Sequence, residues 1–475
     1  MTFNEEWANT FEHIEGVFAL QQAQAYAIAQ RPLAERKNDL KRLWKAVLSR
    51  RTEIAEAIAL DLGKPAVETD FSEIYPIKSD IFHALHNLSE WARKKPMSTP
   101  LTLLGTRAWT KPEPKGVVLV ISPWNFPFNL TFGPLISALA AGNCVMLKPS
   151  ESTPNCARVM GEIIAACFSP NHVALFEGDY RVSEFMVNLP FHHIFFTGGV
   201  EIGKKVMAAA AKNLTPVTLE LGGKTPAIVD RSCNLNEAVR RIVWARFFNS
   251  GQVCISPDYV LIEDAIADQF LELVQTQITE FYSQNPAGSK QLSHLVHRAH
   301  FDKITHMISD AVGKGAALVT GGKVVDDALF VEPTVLTGIS LEMDVMKAEI
   351  FGPILPIIRW KSHEDAIQII RQLDRPLAFY IFSKQKSAIA KFISNSRAGS
   401  TGINETFIQF VHPELPFGGI GSSGMGKAHG QYGFDAFSNE RSFIQQTWRF
   451  NAARFTHPPY NKFSRWLANA IIKWL

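Results

Sequence analysis

The chain has 475 residues, 46% hydrophobic and 20% charged, with a formal net charge of +3 and five cysteines. That length exceeds one ordinary core, so two or three domains are expected, and the small net charge gives no reason to invoke nucleic acid. The cysteines (Cys144, Cys156, Cys167, Cys233 and Cys254) form no C-x-x-C pair, which argues against a disulfide framework or a structural zinc site and suits a reducing compartment.

The opening "MTFNEEWANTFEH" carries acids where a secretory leader would carry a basic region and an apolar run, so the expected location is cytoplasmic. Residues 16 to about 60 have helical apolar spacing and end at Gly63, which predicts a helical hairpin; a second long helix is predicted over about 68–93. The stretch "TRAWTKPEPKG" reads as short extended strands broken by prolines, a hairpin outside the core. Gly116 to Leu147 contains no charge, the length of a membrane span, but Pro123, Pro127 and Pro134 interrupt it. The better reading is strand ("GVVLVIS"), loop ("PWNFPFN"), helix and second strand ("CVMLKPS"). "HVALFEG", "HIFFTGG" and "TPVTLELGG" continue the alternation, predicting a doubly wound parallel sheet that binds ligands at its strand C-termini. A second α/β series runs from about 226 ("TPAIVD", "DYVLIED", "ALVTGG", "VEPTVLTGI", "ILPIIRW", "LAFYIFS", "STGINE"), so two α/β domains are expected to meet near Gly222–Gly223. Past Leu415 the chain is glycine-rich and then strand-like; that strand is expected to pair with the outlying hairpin, in this chain or a partner.

The division that follows is 1–95 with 115–221 as a cofactor domain and 222–415 as a catalytic domain. Residues 96–114 with 438–450 would form an oligomerisation arm, and 451–475 an amphipathic tail. In that tail Phe463, Trp466, Leu467, Ala470, Ile471 and Trp474 share one helical face edged by Lys462, Arg465 and Lys473. It reads as a helix docked on its own body or a partner subunit, or as one making peripheral contact with a membrane.

Five motifs bear on chemistry, each with a plain reading beside it. In "IFFTGGVEIGKK", Gly198 and Gly199 precede a helix and would let a pyrophosphate approach the backbone; alternatively this is a simple strand-to-helix turn. In "VMLKPSEST", Lys148 and Glu151 suit the paired hydroxyls of a ribose, with the carboxylate opposing a 2′-phosphate and so favouring NAD; alternatively Glu151 is a first-turn acid favoured by the helix dipole. Asn125 in "PWNFP" is a side-chain amide in a proline-stiffened loop, either an oxyanion donor or a turn residue. Glu220 in "LELGGK" leaves an apolar strand, either as a base with a raised pKa or as an ion-paired boundary residue. Cys254 in "NSGQVCISPDY" is either a nucleophile or apolar filler. "GIGSSGMGKAHG" matches G-x-x-x-x-G-K, but Ala428 replaces the Ser or Thr needed for magnesium, so we read a glycine-rich loop over a cleft and not a P-loop.

In order, "PWNFP", "LKPSE", "FTGG", "LELGGK", "GQVCISPDY", "EIFGP", "INE" and "PFGGIGSSGMG" resemble the aldehyde dehydrogenase superfamily over about residues 16–450. "NLTPVTLELGGK" and "PFGGIGSSGMGKAHG" are most similar to its class 3 branch, which includes fatty and coniferyl aldehyde dehydrogenases. The resemblance implies two doubly wound α/β domains with a small β oligomerisation arm, a homodimer, and NAD as cofactor with NADP as an alternative. It implies that Cys254 is the nucleophile, Asn125 with the Cys254 N–H the oxyanion site, and Glu220 the activator of water. It places the cofactor against Lys148, Glu151, Gly198, Gly199, Leu221, Gly222, Glu349 and Phe351, and it calls for no metal. The missing histidine partner is explained if backbone donors and a cationic nicotinamide lower the thiol pKa. Ser250 and Val253 flank the nucleophile where relatives often carry Cys and Thr, which bears on pocket shape.

The expected reaction is oxidation of aldehydes, long-chain aliphatic or aromatic, to carboxylic acids. An apolar tunnel would be built from Trp124, Phe126, Phe128, Phe247, Phe248 and Phe407. The alternative is a CoA-acylating aldehyde or semialdehyde dehydrogenase, which needs no water-activating glutamate. A Cys–His–Asn hydrolase finds no matching motif around His412 or His429, and an inactive scaffold would have no reason to keep Asn125, Glu220, Cys254 and Glu349 together.

Overall fold

The computed structural model describes residues 5–449 and 452–474. Helices Glu5–Ala29, Leu33–Ser49 and Arg51–Leu62 form the N-terminal layer, so the expected hairpin is three helices that begin earlier than residue 16. Pro32 separates the first two, and Gly63 (φ +65°) closes the third in the left-handed conformation that glycine adopts without steric cost. The single helix expected over 68–93 is instead Ala66–Thr69, a wider π turn at Asp70–Ile74, and helix Tyr75–Trp91. Pro76 has no N–H for the carbonyl four residues back, so a regular α ladder cannot run through this point.

The first sheet has six strands in the spatial order Gly424–Met425, Val217–Glu220, His193–Thr197, Val117–Ile121, Cys144–Lys148 and Val173–Leu175. All are parallel except the first, which pairs antiparallel with Val217–Glu220 through Gly424 opposite Glu220. Val117–Ile121 and Cys144–Lys148 are buried along their whole length, as their unbroken apolar sequence requires of strands covered on both faces. From Val117–Ile121 the chain winds outward to one edge and then returns to the other side at His193–Thr197. A crevice therefore opens beyond the C-terminal ends of these two neighbouring strands.

The second sheet has seven strands in the order Ala317–Thr320, Thr334–Thr337, Ile354–Trp360, Tyr259–Glu263, Pro226–Val229, Ala378–Phe382 and Ser400–Ile403, parallel apart from the first. Residues 221–225 carry the chain from one sheet to the other, so Glu220 stands at the crossing.

The outlying arm is a three-stranded antiparallel sheet of Lys95–Met97, Thr106–Pro114 and Ser438–Gln446. The C-terminal strand thus pairs with the hairpin of its own chain. Thr106–Pro114 is one nine-residue strand despite its prolines, because beyond Thr110 only Ser438–Gln446 flanks it and the other edge needs no donor. The last helix, Lys462–Trp474, has no buried residue: Trp466 is 63% and Trp474 76% exposed, while Leu467, Ala470 and Ile471 are partly covered. Among the described residues no helix is long and apolar enough to cross a membrane.

Candidate active site

Two cavities meet between the sheets. One, of about 1120 Å³, lies in the crevice beyond the first sheet and is lined by Asn125, Gly198, Gly199, Glu220, Leu221, Gly222, Cys254, Glu349 and Phe351, among others. The other, of about 390 Å³, is almost wholly apolar. Leu130, Thr197, Glu220, Leu221 and Cys254 line both. The sulfur and the carboxylate therefore stand at the junction of an apolar hole and a polar cleft.

Cys254 is partly buried on a loop that begins with Asn249 (φ +49°) and Ser250 (φ +51°). Gly251 is required there, since a Cβ would overlap the Gly352 carbonyl oxygen. Burial, then the charges of Glu349 and Glu220, push the Cys254 thiol well above its ordinary value, against the opposing pull of the Cys254 and Ile255 N–H groups. The backbone donors act in the expected direction, but in the protein by itself burial and two neighbouring carboxyls outweigh them. No histidine is hydrogen-bonded to Cys254 among the described residues. His429 lines the apolar cavity but stacks on Phe417, and burial pulls its pKa down to about 4.

Asn125 is buried, and its Nδ2 donates to the Gln252 carbonyl at 2.9 Å. A primary amide has two N–H groups, so one is left for a ligand. The backbone carbonyl of Asn125 accepts from Lys64 Nζ at 3.1 Å and from Asn249 Nδ2 at 3.0 Å. Lys64 also pairs with Glu73 at 3.1 Å, both side chains having no exposure, and Glu68 accepts from the Asn249 N–H at 3.0 Å. Burial raises the carboxyls of Glu73 and Glu68, the latter to about 7. This N-terminal network ties the Asn125 loop to the cysteine loop. Sequence reasoning missed it, because a lysine after a helix-ending glycine ordinarily points to water.

Glu220 is buried and neither carboxylate oxygen has a hydrogen-bond partner among the described residues. Burial holds its pKa well above the ordinary range, opposed only by Lys427. The glycine-rich segment does run over the cleft: a Cβ on Gly418 would come within 2.9 Å of Glu220 Oε1, and Ser422 lines the cleft. Lys427 is bound to the carbonyls of Gly418 and Gly419, not to a phosphate site.

Glu349 lies against Gly222, where a Cβ would overlap its carboxylate, and burial followed by the charge of Asp258 raises its pKa to about 8. Phe351 (φ +58°) meets Trp124 edge-on at 5.4 Å, and its carbonyl is 2.8 Å from His300 Nε2. Buried Asp258 steadies this segment, pairing with Lys224 at 2.5 Å and Arg246 at 3.3 Å and accepting from the Ile350 N–H. Gly199 starts helix Val200–Ala211 with no side-chain cap, and no atom lies within 4 Å of where its Cβ would be. An uncapped helix N-terminus opening onto a cleft of this size, with Gly222 giving way to Glu349, fits a dinucleotide. Lys148 and Glu151 are not among the residues lining the cleft. Lys148 is buried, bonded to the Pro149 carbonyl at 2.7 Å, and 3.4 Å from half-exposed Glu151. Asn404 is bonded both ways to the Ser383 backbone, a structural role.

Of the expected tunnel aromatics, Phe126, Phe248 and Phe407 line the apolar cavity, Trp124 faces the polar cleft instead, and Phe128 and Phe247 are core residues. Val253 lines the apolar cavity; Ser250 does not. Phe71, Tyr75, Trp244, Phe410 and Phe417 complete the wall, brought in from distant segments without any local signal.

The aldehyde dehydrogenase family model matches residues 8–443. The chain is 40% identical over 428 residues to 4,4'-diaponeurosporen-aldehyde dehydrogenase of Staphylococcus aureus, covering 90% of this chain and 93% of that one. It is 39% identical over 411 residues to mouse aldehyde dehydrogenase family 3 member A2, covering 86% and 84%. A solved structure of the substrate-bound state of Staphylococcus aureus AldH superposes with a TM-score of 0.92 at 39% identity, covering 96% and 99%. The chain belongs to the aldehyde dehydrogenase family, as an NAD(P)-dependent oxidoreductase of its class 3 branch.

Proposed function

We propose that this enzyme oxidises apolar aldehydes, long-chain aliphatic or aromatic, to carboxylic acids, with NAD preferred and NADP as an alternative. One observation carries the reading: Cys254 and Glu220 share the junction between the apolar cavity and the dinucleotide-sized cleft. Phe126 and Ser137, both lining the apolar cavity, are eleven positions apart along helix Pro127–Ala141 and its cap, a rise of about 16 Å, which matches a chain of roughly a dozen carbons. A 4,4'-diaponeurosporen-aldehyde is named for the staphylococcal relative, which agrees with an apolar substrate here.

In the proposed chemistry the Cys254 thiolate attacks the aldehyde carbon. The C–S bond forms as the carbonyl electron pair moves onto oxygen, which the free Asn125 N–H and the Cys254 backbone N–H receive. The Gly198–Gly199 turn, Leu221, Gly222, Glu349 and Phe351, with Lys148 and Glu151 toward the adenosine ribose, would hold a nicotinamide dinucleotide, which when bound would supply the two-electron acceptor for the hydride lost from the carbon on Cys254. The carbonyl re-forms as that hydride leaves, so Cys254 carries a thioester. Glu220 then takes a proton from the water that attacks the thioester, the C–S bond breaks and the acid departs. Unpartnered carboxylate oxygens in a buried site suit that task.

Residues 1–95 with 115–221 would be the cofactor domain, 222–415 the catalytic domain, and the arm over 96–114 and 438–450 the dimer contact. The exposed face of Lys462–Trp474 is open to a partner subunit or a lipid surface. Catalytic efficiency is measured from acetaldehyde to dodecanal, with benzaldehyde and coniferyl aldehyde, and products are assayed with and without CoA. Rising efficiency with chain length and free acid as product are expected. A preference for short chains, or acyl-CoA formation, overturns the reading.

A further inference from the structure

The apolar cavity contains one feature that an alkyl chain does not call for. Asp80, on helix Tyr75–Trp91, is among its lining residues and has no hydrogen bond or ion pair among the described residues. It looks across at Gly133 on helix Pro127–Ala141, where a Cβ would lie 3.6 Å from Asp80 Oδ2, so the missing side chain leaves the carboxyl room toward the cavity. The wall on this side includes Tyr75, Pro76, Leu130, Pro134 and Phe410, and its other polar group near Gly133 is the Asn129 Oδ1, 4.0 Å from the same Cβ position and itself an acceptor. This carboxyl is only partly buried and has no protein partner among the described residues, so solvent is what satisfies it, and a substrate filling the cavity would have to replace that solvent with a donor of its own.

We infer that Asp80 is a specificity-determining residue, whose carboxyl accepts a hydrogen bond from a hydroxyl or protonated amine carried part-way along the aldehyde. This rests on the oxidation proposed above and deepens it: the substrate is apolar near its carbonyl but bears a donor further out. Leu130 lines both cavities at the junction with Cys254, and Gly133 is one helical turn beyond it, about 4.5 Å along the axis. The donor therefore sits several bonds from the carbonyl. Burial alone raises the Asp80 carboxyl to about 7, the condition of an acid lacking a donor, which a hydroxyl or ammonium would relieve.

The test compares kcat/KM for hexanal and octanal with 6-hydroxyhexanal and 8-hydroxyoctanal, with an ω-amino aldehyde and with a semialdehyde ending in carboxylate. It uses full-length enzyme with NAD and the variants Asp80→Asn and Asp80→Leu. In the wild type at least one hydroxy or amino aldehyde is expected to exceed its alkyl counterpart about tenfold or more, and the carboxylate-ended one to be poor. The hydroxyl and amine arms tell which donor is read. Asp80→Leu should erase that ratio; Asp80→Asn should keep part of it for the hydroxyl and lose it for the amine. A structural role would lower all substrates together and leave the ratio unmoved. Alkyl aldehydes preferred in the wild type, or a ratio indifferent to Asp80→Leu, overturn the inference. If Asp80→Leu does not fold, the wild-type ratio and Asp80→Asn decide. Absence of Cys254-dependent turnover of any aldehyde would instead sink the underlying oxidation.

Discussion

Replacing Glu220 by Gln separates its chemistry from its structural contribution. The carboxylate makes no hydrogen bond, so the isosteric amide loses no partner. The sign of the stability effect follows from the raised pKa: the fold favours the protonated carboxyl, so ionising it costs stability. That cost is absent below the unfolded-state pKa and grows as pH rises toward the folded one. Gln carries no such cost, so its melting temperature should match wild type in acid and exceed it at neutral and alkaline pH. The catalytic effect runs the other way. A positioned general base contributes ~10²–10⁴-fold, or ~3–5 kcal/mol of barrier. With that loss confined to thioester hydrolysis, formation of the thioester should continue. Stopped-flow absorbance of reduced nicotinamide should show a burst of one equivalent per Cys254, then a slow steady rate, and intact mass should show the acyl adduct. In the wild type the hydrolytic step should accelerate as pH rises through the raised Glu220 pKa. Steady turnover within tenfold of wild type, or lost activity without an adduct, would refute the assignment of Glu220 to water.

Because burial, Glu349 and Glu220 hold the Cys254 thiol up, iodoacetamide should label it slowly in the free enzyme and faster once NAD brings positive charge to the cleft; equal rates would remove the cofactor from thiol activation. Lys64→Met strands Glu73 in the core and should cost ~3–5 kcal/mol in urea unfolding, with Lys64→Met/Glu73→Gln recovering much of it; no loss in the single variant would contradict the buried pair. Gly418→Ala places a Cβ within 2.6 Å of the Gly426 carbonyl and 2.9 Å of Glu220 at φ +152°, so kcat should fall more than the burst rate; unchanged kcat would show that the glycine loop does not constrain the carboxylate. Light scattering at micromolar concentration should give a dimer; a monomer would remove the arm as an interface.

Much of this protein was legible in its amino-acid order. Parallel strands buried on both faces read as unbroken apolar runs, so the parallel strands of both sheets were visible as segments, whereas the short antiparallel edge strand Gly424–Met425 was read as part of a glycine-rich loop. Loops that must make sharp turns beside ligands need glycine, so "FTGG", "LELGGK" and "SGQVC" stood out around the cleft. Helix interruptions were less visible, since Pro76 could mark either a first turn or a break.

What the sequence by itself determined, then, is the alternation of elements, the family, and the set of residues around Cys254. Only the tertiary structure decided which aromatics face a cavity and which are core. A phenylalanine has the same local pattern in either place, and Phe126 differs from Phe128 only in what other segments bring against it. The same holds for charge: nothing local distinguishes Lys64, locked under Asn125, or Asp80, facing an apolar wall, from a solvated residue. Burial is a property of the packed whole, and pKa follows burial, so the electrostatics of the site came into being only when the sheets and helices closed around it.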